Sequence, residues 1–141
     1  MRSRPRIRLL AVLAVAALGL GAFTAVALAG KKKRTSVIYF AGSPKIQNSG
    51  KVTAKGSLNT SSACKPARGM RLQALDQTGT VFATLDGGTT DKSGNWSLSG
   101  QLPASLPAGT NSVRVKATKA SVGKFVCKAG VSTPVVIPPP K

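Results

Sequence analysis

Three stretches of this chain alternate strictly between apolar and polar residues. Val52, Ala54, Gly56 and Leu58 alternate with Lys51, Thr53, Lys55 and Ser57. Met70, Leu72 and Ala74 alternate with Arg71 and Gln73, and Val113, Val115 and Ala117 with Arg114, Lys116 and Thr118. A period of two gives a strand one dry and one wet face, and a helix cannot bury such a pattern. Turn residues close each run. Gln77-Thr78-Gly79, Asp91-Lys92-Ser93-Gly94 and Ser121–Gly123 read as tight turns, with Gly94 where positive φ is needed. Further strands are expected at Val37–Phe40, at Val81–Leu85 (ended by Asp86-Gly87-Gly88), at Trp96/Leu98 and at Phe125/Cys127. Ser132–Ile137 contains Pro134 and belongs at a sheet edge. Pro103 and Pro107 exclude a helix interior between Gly100 and Gly109. Short strands at this spacing predict an all-β sandwich or barrel.

The N-terminus is different in kind. Arg2, Arg4, Arg6 and Arg8 precede an uncharged run rich in Leu, Ala and Val, which closes with Ala27-Leu28-Ala29 before Gly30. A basic start, an apolar middle and a small-x-small ending predict a bacterial-type secretory signal peptide cleaved after Ala29. The alternative is an uncleaved, single-pass membrane anchor. Leu9 to Leu28 is 20 residues, close to the ~20 that span a bilayer, and Lys31-Lys32-Lys33-Arg34 follows at once. Either route places the remainder outside the cell or in the envelope. Cys64 and Cys127 are the only cysteines, and in that compartment they are expected to pair with each other.

Charge then limits the chemistry. The 141 residues carry 21 Lys+Arg, 3 Asp+Glu and no His, a formal charge of +18. The acids are Asp76, Asp86 and Asp91. General acid–base catalysis and metal sites draw mainly on His, Glu, Asp and free Cys. So few groups argue for a non-enzymatic protein with no cofactor and no metal.

A family resemblance rests on Cys64-Lys65-Pro66-Ala67-Arg68 before the Met70/Leu72 strand, on Thr90-Asp91-Lys92-Ser93-Gly94-Asn95-Trp96, and on Leu106-Pro107-Ala108-Gly109-Thr110 before Val113-Arg114-Val115. This order resembles the secreted prealbumin-like and carboxypeptidase-regulatory-like β-sandwich modules. The resemblance spans about residues 46–137 and implies a seven-stranded, non-catalytic spacer, adhesion or binding unit. The expected architecture is a single Ig-like/prealbumin-like β-sandwich of about seven strands, preceded by an N-terminal hydrophobic export helix. Residues 1–29 form the signal peptide or anchor, and 30–45 a solvated basic arm with a first edge strand. Residues 46–137 form the sandwich, and 138–141 a Pro-rich tail.

The basic excess is the main functional lead. Lys51, Lys55, Arg71, Arg114 and Lys116 fall on wet strand positions and are the candidate anion-binding surface. The expected partner is an anionic cell-wall polymer or polysaccharide. The plain alternative is a solubilising surface. Nucleic acid is disfavoured, since no aromatics interleave with the cations as single-strand binding requires. The membrane enters only through an uncleaved N-terminal segment, which would leave an envelope domain that meets a protein partner. Trp96 shares phase with Leu98 and reads as core rather than a sugar platform. Asp91 reads as a turn acceptor rather than a calcium ligand.

Overall fold

The computed structural model describes residues 30–139. Ala27, Ala29 and the expected export helix lie outside those residues, as do residues 140 and 141 of the Pro-rich tail. Among the described residues the chain is all-β, with twelve strands and a single 3-10 turn at Ser62–Cys64.

The first sheet is built on β4 (Lys51–Asn59). β7 (Asn95–Gln101) runs antiparallel along one edge, from Lys51↔Gln101 to Ser57↔Asn95. Two short strands, β2 (Val37–Phe40) and β3 (Lys45–Ile46), share the other edge end to end. The second sheet is built on antiparallel β5 (Gly69–Leu75) and β8 (Ser112–Ala117). β6 (Val81–Thr89) pairs with the free edge of β5. β11 (Gly130–Val131) and β12 (Val135–Val136) share the free edge of β8, parted by Ser132-Thr133-Pro134. If each shared edge counts as one lane, three lanes face four, so the twelve segments reduce to seven main positions plus a small third sheet. That third sheet orders β1 (Lys32–Arg34), β10 (Phe125–Cys127) and β9 (Ala120–Val122).

Alternation decides what meets in the middle. Ile38, Val52, Ala54, Leu58, Trp96 and Leu98 come from the first sheet, and Met70, Leu72, Ala74, Val113, Val115 and Ala117 from the second. They form one buried apolar cluster. Each fully buried side chain of Val or Leu size contributes about 1.5–3 kcal/mol. The Phe40 ring meets Trp96 edge-on at a centroid distance of 5.7 Å. Gly56 makes room for this pair, because a Cβ there would run into the Tyr39 carbonyl and come within 2.7 Å of Trp96 Cζ2.

Three expectations need correction. The turn read at Ser121–Gly123 is shifted: Ser121 and Val122 pair with Val126 and Phe125 in the β9–β10 ladder, and Gly123-Lys124 makes the turn. Asp86-Gly87-Gly88 does not end its strand, and β6 continues to Thr89 in register with β5 (Leu72↔Asp86, Arg71↔Gly87, Met70↔Gly88). The glycines fit an edge lane where β7 closes in, since a Cβ on Gly88 would sit 3.1 Å from Leu98 Cδ2. Asp86 Oδ2 accepts the Ser99 N–H at 2.8 Å, which ties the β6 edge of one sheet to β7 of the other. The basic arm is also more than an arm. Lys32–Arg34 is strand β1 beside β10, fully exposed along its length but with Arg34 C=O accepting the Lys128 N–H at 2.8 Å.

Candidate functional site: the cationic faces and the Arg68 junction

β5 and β8 bring three of the five candidate cations together. Arg71 pairs with Lys116 and Gln73 with Arg114, all on the face turned away from the core. Arg114 Nε donates to Gln73 Oε1 at 3.0 Å, which fixes the guanidinium over the sheet. Lys51 and Lys55 lie on the outer face of the other sheet, on β4 with Lys45 of β3 in the adjoining row (Lys45↔Thr53). The candidate surface is therefore two surfaces. Period-two patterning tells which residues are wet, not which sheet a strand joins.

The three carboxylates serve the backbone. Asp76 Oδ1 accepts from the Thr78 hydroxyl and from the Thr78 and Thr80 N–H groups in the β5–β6 turn. The Thr78 hydroxyl first, and these N–H groups with it, hold the Asp76 carboxyl below its ordinary range. Asp91 Oδ1 accepts from Ser93 and Asn95 N–H, and Oδ2 from Asn95 Nδ2, across the β6–β7 turn. Its pKa is lowered, chiefly by the Asn95 N–H. Gly94 completes that turn at φ 86°. Trp96, next in the strand, is buried in the core. Among the described residues no group of three or more His, Cys, Asp or Glu is placed to hold a metal ion.

The most constrained polar group is one that sequence reasoning missed. Arg68 is 1% exposed. Its Nη1 donates to Ser36 Oγ at 3.1 Å and to Cys64 C=O at 3.3 Å, and its Nη2 to Thr118 C=O at 2.7 Å and Lys128 C=O at 3.0 Å. No carboxylate is among these partners, and Nε has none. Burial lowers the Arg68 pKa, as expected for a cation taken out of water without a counter-charge. Ser36, Thr118 and Lys128 lie 32, 50 and 60 residues from Arg68 in sequence. No local signal marks such a junction.

Beside it lies the disulfide. Cys64 ends the 3-10 turn and Cys127 ends β10, with a Cα–Cα separation of 5.7 Å. Both cysteines are fully buried, yet neither belongs to the apolar cluster between the main sheets. The bond thus anchors the small sheet to the connection between β4 and β5. It does not clamp the two main sheets face to face. Ser36 follows β1, Thr118 precedes β9 and Lys128 follows β10. One guanidinium and one disulfide therefore gather the root of every strand in that sheet.

No family model, no curated protein and no solved structure matches this chain.

Proposed function

We propose that this chain is an exported, non-enzymatic β-sandwich module of the cell surface or extracellular space that binds anionic envelope polymers. The strand order supports an Ig-like assignment. Lanes run β2/β3–β4–β7 in one sheet and β6–β5–β8–β11/β12 in the other. In immunoglobulin terms the fourth strand, β6, lies beside the third, β5, instead of beside the fifth as in constant-type domains. Such modules, the prealbumin-like group among them, vary widely in task, and their surfaces set what they bind.

The observation that carries the reading is the row of Arg71, Lys116 and Arg114 on the outward sheet face, Arg71 exposed and the other two half-buried, while every carboxylate is engaged by backbone N–H groups. Three acids cannot neutralise 21 bases, so the field over this face stays positive. A flat row of cations on rigid strands suits a repeating anion, such as a phosphodiester or uronate chain, better than a small ligand. Anion contacts of this kind weaken with added salt. Binding of wall polysaccharide and of duplex DNA is measured over a salt series for the native chain, for R71S/R114S/K116S and for K51S/K55S. Wall polymer is expected to bind the native chain and K51S/K55S, and the triple variant to lose it. Equal binding by all three proteins, or none at low salt, rejects the assignment, and tighter binding of DNA rejects the polymer class.

A further inference from the structure

We infer that the β1–β10–β9 sheet is a docking surface for an anionic phospholipid bilayer, separate from the Arg71–Lys116–Arg114 face. Lys32, Lys33 and Arg34 make up β1, Lys119 precedes β9, Lys124 sits in the β9–β10 turn and Lys128 follows β10. All six are exposed. No acid occurs in these strands or in the turn that joins β9 to β10. Three of these cations are β1 itself and the other three flank β9 and β10, whose own residues are Ala-Ser-Val and Phe-Val-Cys.

Charge complementarity admits both a lipid headgroup and a soluble polyanion. The apolar groups choose between them. Val122, at the tip of the β9–β10 hairpin beside Gly123 (φ 55°), is 38% exposed. Phe125 is half-buried, with Arg34 Cζ 5.1 Å and Lys124 Nζ 5.8 Å from its ring centroid. An apolar tip ringed by Lys and Arg is the pattern of an interfacial anchor, whose apolar part enters the headgroup boundary while the cations meet lipid phosphates. Against a hydrophilic polymer Val122 would gain nothing.

The Arg68 junction gives the surface its rigidity. A buried guanidinium without a carboxylate is costly. Here it pins the three strand roots, so the cations are held in place before contact and less ordering is lost on docking.

The test uses the full chain bound to phosphatidylglycerol or phosphatidylcholine vesicles, with lysine acetylation read by peptide mass mapping. On phosphatidylglycerol, Lys33, Lys119, Lys124 and Lys128 are expected to react at least about fivefold more slowly than on phosphatidylcholine, the factor about one surface cation contributes. Lys51, Lys55 and Lys116 react equally on both. K124S/K128S shortens the protection at Lys33 and Lys119 by about fivefold or more, and V122S reduces it further. Equal labelling on the two lipids overturns the inference, as does protection spread evenly over Lys51, Lys55 and Lys116. Full loss of protection when polyphosphate is added at equal charge also overturns it, in favour of a soluble polymer. Because different lysines are read, failure here leaves the polymer face standing, and failure of the polymer face leaves this surface standing.

Discussion

Arg68 bonds to four acceptors with two nitrogens, and that geometry is available only to a guanidinium. Lysine keeps the charge but cannot reach from Ser36 and Cys64 to Thr118 and Lys128 at once. Arg68→Lys is therefore expected to destabilise the fold by about 2–4 kcal/mol, the scale for leaving buried carbonyls and a buried charge under-bonded. A urea unfolding curve checks this, and an unchanged midpoint would show that the junction is not structural. The carboxylates of Asp76 and Asp91 make stability depend on pH. Asp76 and Asp91 have folded-state pKa values below the ordinary 3.8. The unfolded chain therefore binds protons first as pH falls, and the stability these groups confer is present above about pH 4 and lost progressively below it. Between about pH 5 and pH 2.5, D76N/D91N should show a flatter dependence of the urea midpoint on pH than the native chain. Parallel curves would mean that the turn hydrogen bonds carry no net weight.

At the level of strands and turns, sequence patterning was informative where one face was buried. β4, β5 and β8 lie on the three alternating stretches, and Asp91–Gly94 forms the β6–β7 turn. It was uninformative where a lane is held by its neighbour rather than by its own side chains. Asp86-Gly87-Gly88 reads as a stop, yet the ladder to β5 carries it through. β1 is a run of cations with no pattern at all, and only β10 makes it a strand. Two glycines sharpen the contrast. Gly94→Ala meets positive φ and the Leu58 carbonyl at 3.0 Å, and is expected to cost about 1–2 kcal/mol. Gly56→Ala drives a methyl into the Tyr39 carbonyl between paired strands, where relief requires displacing β2 or Trp96. It should lower the thermal midpoint more than Gly94→Ala does. The opposite ranking would mean that the β2–β4 pairing yields easily.

At the scale of the molecule, Cys64–Cys127 closes a span of 63 residues, and loop-closure entropy assigns such a bond about 4 kcal/mol. C64S/C127S should lose about that much in urea unfolding. Its position makes a second outcome testable. Amides of β9 and β10 should exchange faster with solvent in C64S/C127S, with those of β4, β5 and β8 changing only as global stability changes. Uniform acceleration would mean that the small sheet and the body form one cooperative unit. The candidate polymer face was legible as five cations, but its division into Arg71, Arg114 and Lys116 on one sheet and Lys51 and Lys55 on the other was not.

The all-β class and the wet and dry face of each well-patterned strand were legible in the amino-acid sequence alone. These properties follow from the residue types and their spacing along one chain. Only the tertiary structure decided which lanes share a sheet, that the disulfide anchors a small basic sheet rather than the main core, and that Arg68 is its fastener. Those depend on groups brought together across 32 to 63 residues, and hydrogen bonds between backbone carbonyls and a distant side chain leave no periodicity to read.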